Sequence, residues 1–258
     1  MDLGIKGRSA IVCGSSAGIG KACARALGEA GVRLVLNGRR HETLMSTVRE
    51  LQGVMESEVI GVVADATTVE GRAALLAACP SPDILINNAA GPPVGSWRDF
   101  DEADWERAVR ENMISPIMMM RAVLGGMIEA GWGRIITITS SAVKAPLPML
   151  GLSNGARSGF TGYAAGLARE VAGHGVTINN LLPGKIATDR LQSYAHSLAD
   201  NARVSDEEMM DRLAASIPAR RIGRPEEIGS YCAFLASDHA AFVTGQNLLV
   251  DGGEYPGF

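Results

Sequence analysis

The segment SAIVCGSSAGIG, residues 9–20, places a short apolar run directly before a glycine-rich turn. The pattern after the turn is helical, and we predict that a helix starts near Lys21. A strand, a glycine turn and a helix in this order open a parallel strand–helix–strand unit. The segment therefore predicts an α/β fold that begins with its first strand.

Six further apolar runs follow, separated by longer helical stretches. They are RLVLN from Arg33, VIGVVAD from Val59, DILINN from Asp83, RIITITS from Arg134, VTINNLLP from Val176 and NLLVDGG from Asn247. Continuously apolar runs suit strands buried on both faces, and strand–helix alternation requires right-handed parallel crossovers. We therefore predict a single-domain, doubly wound α/β fold of the Rossmann type, with a seven-stranded parallel sheet and helices on both faces.

The bulk composition is typical of one globular domain spanning residues 1–258. Hydrophobic residues make up 47% of the chain, and no low-complexity linker or internal repeat marks a second domain. One irregular stretch, about residues 189–224, is polar and partly helical, and we interpret it as a lid or substrate loop. No segment approaches the ~20 apolar residues that a membrane span needs, so we expect a cytoplasmic protein.

Charge and residue usage disfavour several classes of function. The net charge of −4 argues against a broad phosphate-binding surface, so we expect a small-molecule substrate rather than a nucleic acid. The four cysteines and four histidines show no metal-ligand spacing, so no metal site is predicted. The cysteines are expected to be reduced thiols packed as small apolar residues.

The glycine turn is the first candidate binding site. Gly14, Gly18 and Gly20 form a G-x-x-x-G-x-G pattern that also includes Ser16 and Ile19. Glycines let the backbone turn sharply and approach a pyrophosphate, while the amino end of the following helix stabilises the negative charge. The turn therefore predicts a dinucleotide cofactor.

The end of the second strand indicates which dinucleotide is preferred. Enzymes that prefer NAD usually carry an acidic residue there, but this chain has Gly38, followed by Arg39 and Arg40. A guanidinium fork suits a 2′-phosphate, so NADP(H) is preferred, although a solvated basic pair would leave NAD(H) open. Ala17 weakens this preference because a basic residue in the turn would have supported it.

Asp65 and Ala66 end the third strand and form a further candidate contact with the cofactor. The Asp65 carboxylate could accept a hydrogen bond from the adenine amino group. Helix N-capping by Asp65 is equally compatible with the sequence Asp-Ala-Thr-Thr.

Several of these motifs together resemble the short-chain dehydrogenase/reductase family, and the resemblance covers nearly the whole chain. CGSSAGIG is similar to the family's TGxxxGIG, residues 87–91 (NNAAG) to its NNAG, and residues 183–188 (PGKIAT) to its PGxIxT. The resemblance implies two groups of cofactor contacts. Asn88, Ala89 and Ala90 would lie beside the ribose, and the Pro183-Gly184 turn would bring Ile186 and Thr188 to the nicotinamide carboxamide.

The resemblance also implies four catalytic positions, of which this chain keeps two. Ser140, at the end of RIITITS, takes the place of the serine that bonds the substrate oxygen; a purely local hydroxyl contact is the alternative. Asn112 takes the place of the helix asparagine that holds a water, a role compatible with bracing a helix kink. The expected tyrosine and lysine are replaced by Ser153 and Arg157, without a gap in the surrounding match.

The replacement changes the proton chemistry that we expect. An aliphatic hydroxyl is a far weaker acid than a tyrosine, whose reference pKa is about 10, and Ser153 would need a bridging water to reach the same oxygen. Arg157 could still bind the nicotinamide ribose and supply positive charge, but it is a poor proton relay. Lys144 is the one ammonium near this segment and a candidate surrogate acid, with a solvated lysine as the alternative.

Three functions remain open at this point. The first is an NADP(H)-dependent oxidoreductase acting on a hydroxyl or carbonyl compound, such as a 3-oxoacyl compound or small ketone. Ser140 would then polarise the carbonyl, Arg157 would hold the cofactor, and Ser153 with a water from Asn112 would move the proton. The others are a cofactor-binding sensor or partner subunit without turnover, and a lyase or dehydratase on the same fold. The resemblance further implies a homo-oligomer, either a dimer or a tetramer.

Overall fold

Seven parallel strands form one sheet in the computed structural model, which describes residues 1–257. The strands are β1 (Ser9–Val12), β2 (Arg33–Gly38), β3 (Val59–Val63), β4 (Ile84–Asn87), β5 (Gly133–Ile138), β6 (Val176–Pro183) and β7 (Asn247–Val250). Their order across the sheet is β3-β2-β1-β4-β5-β6-β7. Each of the seven apolar runs is therefore confirmed as a strand, and the doubly wound α/β class is confirmed with it.

Nine α-helices accompany the strands. They are α1 (Gly18–Glu29), α2 (His41–Gln52), α3 (Val69–Ala78), α4 (Glu102–Val109), α5 (Ser115–Glu129), α6 (Gly151–Val171), α7 (Asp189–Ala202), α8 (Asp206–Ser216) and α9 (Pro225–Ala236) within residues 1–257. The predicted start of the first helix near Lys21 is wrong, since α1 begins at Gly18. The glycine turn thus runs directly into the first helical turn.

Alternate residues of the strands supply two separate cores, one on each face of the sheet. Ile84 and Ile86 of β4 pack in the core that contains residues of α1, α2 and α9, whereas Leu85 packs in the core that contains residues of α5 and α6. Successive side chains of a strand point to opposite faces, so this division follows from the strand period of two. The buried Phe160 of α6 and Met120 of α5 belong to the second core.

The chain order changes direction beside β1, whose neighbours are β2 and β4. The loops after β1 and β4 therefore diverge and leave a crevice at the carboxyl ends of the strands. The predicted lid follows β6 and consists mainly of α7 and α8, which pack on each other through Leu191, Ala195 and Leu213. Within residues 1–257, no helix is both long and apolar enough to cross a bilayer.

Candidate active site

A cleft of about 1220 Å³ opens at the carboxyl ends of the strands. Its lining contains every predicted site residue except Gly20: Gly14, Ser16, Gly18, Ile19, Arg39, Arg40, Asp65, Ala66, Asn88, Ala89, Ala90, Asn112, Ser140, Ser153, Arg157, Pro183, Gly184, Ile186 and Thr188. These residues come from loops and helix ends that are far apart in the sequence. The parallel topology brings them together because all the strands end at the same edge.

The glycine turn at the start of α1 lies against the loop after β4. Gly14 and Gly18 adopt left-handed backbone conformations, with φ values of 57° and 54°. The Asn88 side chain donates a 2.9 Å hydrogen bond from Nδ2 to the Gly14 carbonyl. A Cβ on Gly20 would overlap that carbonyl and lie 2.7 Å from Asn88 Nδ2. Gly20 therefore permits close packing of the turn and does not itself line the cleft.

The amino end of α1 is free to bind an anion. Its N-cap residue, Ala17, has no side chain that could accept a hydrogen bond, and no acidic residue lies in the first turn. The cap of α3 contrasts with this, because Thr68 Oγ1 accepts a 3.0 Å bond from the Gly71 amide. The uncapped amides of α1 carry the positive end of the helix dipole, which suits a pyrophosphate.

Arg39 and Arg40 lie in the turn between β2 and α2, with both residues exposed at the rim of the cleft. Within residues 1–257 neither side chain makes an ion pair with a carboxylate. Gly38, just before them, is tightly placed, since a Cβ there would lie 3.1 Å from Ser16 Cβ. The turn thus offers two guanidinium groups where an acidic side chain would have little room.

Asp65 does not cap a helix, so the N-cap alternative is wrong. Its Oδ1 accepts a 2.9 Å bond from the Thr67 amide, and α3 is capped by Thr68 instead. Burial raises the pKa of Asp65, but the hydrogen bonds from Thr67 and the charge of Arg39 outweigh burial and hold the pKa below its usual value. Asp65 is therefore an ionised acceptor in the wall of the cleft.

Asn112 lies in a π-helical segment, Arg110–Ile114, between α4 and α5. The residue is only 4% exposed, and neither Oδ1 nor Nδ2 has a hydrogen-bond partner among residues 1–257. A buried polar amide without a partner costs about 1–3 kcal/mol, and single π-helical turns often occur at functional sites. Asn112 thus lies at an irregular turn of the helix, as the bracing alternative requires, and it belongs to the wall of the cleft.

The two serines lie on different elements of the same cleft. Ser140 follows β5, and its Oγ accepts a 3.1 Å bond from the Ala142 amide. The local contact considered for Ser140 is thus present, but it uses only a lone pair of the oxygen and leaves the hydroxyl proton free. Ser153 lies in the first turn of α6, is 6% exposed and lines the cleft.

Arg157, one turn beyond Ser153, binds main-chain carbonyls. Its Nη1 donates to the carbonyls of Ile138 at 2.8 Å and Thr139 at 3.0 Å, and its Nη2 donates to that of Ala89 at 3.3 Å. Burial, with a smaller contribution from the charge of Arg190, lowers the pKa of Arg157 to about 10. Arg157 therefore stays charged at neutral pH and joins the ends of β4 and β5.

Lys144, the candidate surrogate acid, does not line the cleft. Its Nζ lies 5.9 Å from the centre of the Tyr255 ring. Two other groups that the sequence did not single out as site residues do line it: Tyr194, from α7, and a Lys185–Glu254 ion pair. Their proximity depends on how the lid and the chain end fold over the cleft, and no local pattern in the sequence reports that.

The residues present fit a dinucleotide cofactor. The glycine turn is closely packed with left-handed glycines that leave its backbone bare at the cleft, the amino end of α1 is uncapped, and Arg39 and Arg40 have no carboxylate partner within residues 1–257. Among the same residues, no group of three or more His, Cys, Asp or Glu side chains is arranged to hold a metal ion.

Comparison with known proteins gives a consistent result. The family model described as enoyl-(acyl carrier protein) reductase matches residues 14–254. The chain is 34% identical to the acetoacetyl-CoA reductase of Cupriavidus necator, over 97% of this chain and 99% of that protein. It is also 34% identical to the 3-oxoacyl-[acyl-carrier-protein] reductase of Vibrio cholerae, over 98% and 99% of the two chains. The chain belongs to the short-chain dehydrogenase/reductase family.

Solved structures of the family superpose on this short-chain dehydrogenase/reductase closely. L-sorbose reductase from Gluconobacter frateurii, determined in complex with NADPH and L-sorbose, matches with a TM-score of 0.93 and 27% identity, and all of both chains is covered. This agreement includes the seven-stranded parallel sheet and the helices on both sides. L-sorbose reductase and an actinorhodin polyketide ketoreductase, which is 32% identical to this chain with a TM-score of 0.91, were both determined with NADPH.

Proposed function

We propose that this protein is an NADP(H)-dependent oxidoreductase that interconverts a carbonyl and a hydroxyl group, by a proton route without the usual tyrosine. The observation that carries the proposal is the composition of the cleft. One end has the glycine turn and a pair of arginines, and the other has Ser140, Ser153 and the unpaired amide of Asn112. A binding site for a dinucleotide thus adjoins a polar site for a second molecule.

The cofactor end uses charge to favour NADP(H). Arg39 and Arg40 would bind the 2′-phosphate, the uncapped amides of α1 would bind the pyrophosphate, and Asn88 would hold the glycine turn in place. When bound, NADPH supplies the hydride that a carbonyl carbon accepts, after which the carbonyl oxygen takes up a proton.

Ser140 is the group proposed to bind the carbonyl oxygen. Its own oxygen is fixed by the Ala142 amide, so the hydroxyl proton is directed to another acceptor. A hydrogen bond to an oxygen that gains negative charge is stronger in the transition state than in the ground state. Ser140 therefore lowers the barrier without having to transfer its proton.

Proton delivery and stabilisation of the developing negative charge are assigned to Ser153, Asn112 and Arg157. The unpaired amide of Asn112 can hold a water that relays a proton from bulk solvent. The Ser153 hydroxyl gives its proton to the carbonyl oxygen and takes one from this water, which is reprotonated by solvent. Arg157 keeps its proton, because a guanidinium remains charged at neutral pH, and it supplies positive potential beside the developing oxyanion. The ribose contact predicted for Arg157 competes with the three carbonyls that it already binds.

That competition favours a second candidate function. If Arg157 stays bound to the carbonyls of Ile138, Thr139 and Ala89, it acts as a structural cation. The protein would then bind NADP(H) with little turnover and serve as a sensor or a partner subunit.

The deciding experiment combines NADPH titration with turnover. NADPH binding is followed by fluorescence, and NADPH oxidation is then measured against ketones and 3-oxoacyl thioesters. We expect Ser140→Ala to lower kcat by about 10²-fold with unchanged NADPH affinity, as for a lost oxyanion donor. Ser158→Ala, an exposed serine of the same helix as Ser153, is the control. Binding without turnover on every substrate selects the second candidate, and absence of NADPH binding rejects both.

A further inference from the structure

One arginine of the lid, residues 189–224, places its charge in the cleft, whereas the others do not. Residues 189–224 contain Arg190, Arg203, Arg212, Arg220, Arg221 and Arg224. Arg212 pairs with Glu208 at 2.6 Å and Arg221 with Glu227 at 2.6 Å, both on the solvent side. Of the six, only Arg190 lines the cleft. The structure thus separates a solvated lid surface from a single cation that faces the site.

Arg190 is in the first turn of α7, and its guanidinium lies over the loop that follows β4. A Cβ built on Gly91 would lie 3.1 Å from Arg190 Nη2 and 3.2 Å from both Cζ and Nε. Tyr194, one turn later on α7, also lines the cleft. Residues four apart lie on the same face of a helix, so α7 presents an arginine and a tyrosine to the cleft together.

The positive charge of Arg190 is not neutralised by the protein. No carboxylate oxygen in residues 1–257 lies within 4.0 Å of the guanidinium of Arg190 or Arg157. The two cations instead repel each other, which contributes to the lowered pKa of Arg157. Lys185, also in the cleft, is neutralised by Glu254. Two adjacent uncompensated cations are costly unless an anion binds beside them.

A second feature of the cleft wall is a buried amide whose polar atoms have no partner among residues 1–257. The Asn112 amide is 4% exposed, lines the cleft and has no partner for either Oδ1 or Nδ2. Native proteins rarely leave both polar atoms of a buried amide unpaired. A water between this amide and the cleft would satisfy its two atoms.

We propose that Arg190 binds a carboxylate of the substrate, which makes short oxo acids and their hydroxy acids the substrate class. This inference rests on the proposed function, because it takes the cleft beyond the glycine turn as the substrate side. A guanidinium fork matches a carboxylate with two parallel hydrogen bonds. The other source of the same anionic chemistry is a phosphate of the cofactor. We favour the substrate because Arg190 lies on Gly91, beyond the Asn88–Ala90 segment predicted to face the ribose.

Binding to the NADP⁺-saturated protein tests the proposal without requiring turnover. Calorimetry compares pyruvate, acetoacetate and levulinate, which place the carboxylate progressively farther from the carbonyl, with their neutral amides. We expect at least one acid to bind about tenfold more tightly than its amide, as for one charge-assisted pair. Arg190→Gln should abolish this preference and Arg190→Lys should keep part of it. Arg212→Gln, in the same lid but outside the cleft, should leave it unchanged.

Each remaining outcome has a defined meaning. If none of the acids binds better than its amide, or if Arg190→Gln keeps the preference, the carboxylate site is rejected. If Arg190→Gln weakens NADPH binding about tenfold and leaves acid binding unchanged, the anion belongs to the cofactor, and the proposal is again rejected. An acid preference that depends on Arg190 in a protein that never oxidises NADPH would keep the binding site and reject only the redox function.

Discussion

The buried guanidinium of Arg157 donates hydrogen bonds to three main-chain carbonyls. A lysine there has a single nitrogen and a more compact charge, so it would be freer to leave the carbonyls of Ile138, Thr139 and Ala89. The family pattern couples that lysine to a tyrosine four residues before it. We therefore interpret Ser153 and Arg157 as a joint replacement of the tyrosine and the lysine that act together in the family.

Restoring both parts is the first test at the scale of residues. We expect Ser153→Tyr combined with Arg157→Lys to raise kcat for ketone reduction by at least about 10²-fold, the usual contribution of a positioned general acid. Because the tyrosine must be protonated to donate, the reduction rate of the double variant should fall as pH rises through its pKa. The pH profile of kcat checks both expectations.

Ser158→Tyr on the exposed side of the same helix is the control for adding a tyrosine, and circular dichroism shows that each variant is folded. A double variant that is folded, binds NADPH and gains no activity would contradict the idea that the missing pair limits the chemistry.

For single residues, the sequence predicts which side chains line the cleft better than it predicts their hydrogen-bond partners. Ser140 and Ser153 line the cleft. Their positions could be predicted because the match to the family motifs places Ser140 just after β5 and Ser153 thirteen residues later, at the start of α6. The carbonyl partners of Arg157 could not be predicted, since they lie at or just after the ends of β4 and β5, which meet only in the folded sheet. Asp65 shows a smaller limit: Asp-Ala-Thr-Thr contains several possible caps, and the structure uses Thr68.

At the scale of elements, the turn between β2 and α2 sets the expected cofactor preference. We expect Arg39→Ala combined with Arg40→Ala to raise the Kd for NADPH about 10-fold to 100-fold and to leave the Kd for NADH nearly unchanged, because only NADPH carries the 2′-phosphate. The measurement is a fluorescence titration with each nucleotide at low and moderate salt. Arg49→Ala, farther along α2 and outside the cleft, is the control. An equal loss of affinity for NADPH and NADH would show that Arg39 and Arg40 do not bind the 2′-phosphate.

The π-helical segment that contains Asn112 is an element that sequence periodicity defines only in part. The sequence allows a helix kink at Asn112, but the π-helical hydrogen-bond pattern itself depends on how this segment packs with α4 and α5 on α6. The glycines of α6 illustrate that packing. A Cβ on Gly155 would lie 2.9 Å from the Trp105 ring of α4, and one on Gly159 would lie 3.0 Å from the Met113 sulfur.

At the scale of the whole molecule, strand order and fold class follow from the regular alternation of apolar strands with helices. The lid is less predictable, because its polar surface does not show which side faces the cleft. The sequence does not distinguish the six arginines of residues 189–224, and of these only Arg190, in the first turn of α7 after β6, lines the cleft. The number of subunits depends on which exposed surfaces of one chain pack against another copy. One face of α6 is exposed in this way.

Gly162 and Gly166 lie one turn apart on α6, both exposed, and a Cβ on either would meet nothing within 4 Å in the described part of the same chain. Replacing a helical glycine by leucine should stabilise a lone chain by several tenths of a kcal/mol, since glycine is about 0.8–1.0 kcal/mol less favourable than alanine in a helix. If this face packs closely against a second copy, Gly162→Leu with Gly166→Leu should instead dissociate the predicted homo-oligomer. Sedimentation velocity measures the assembled mass, and Gly173→Leu, at an exposed glycine beyond α6, is the control. An unchanged mass with a raised melting temperature would show that the glycine face is free in solution and that the assembly, if any, uses another surface.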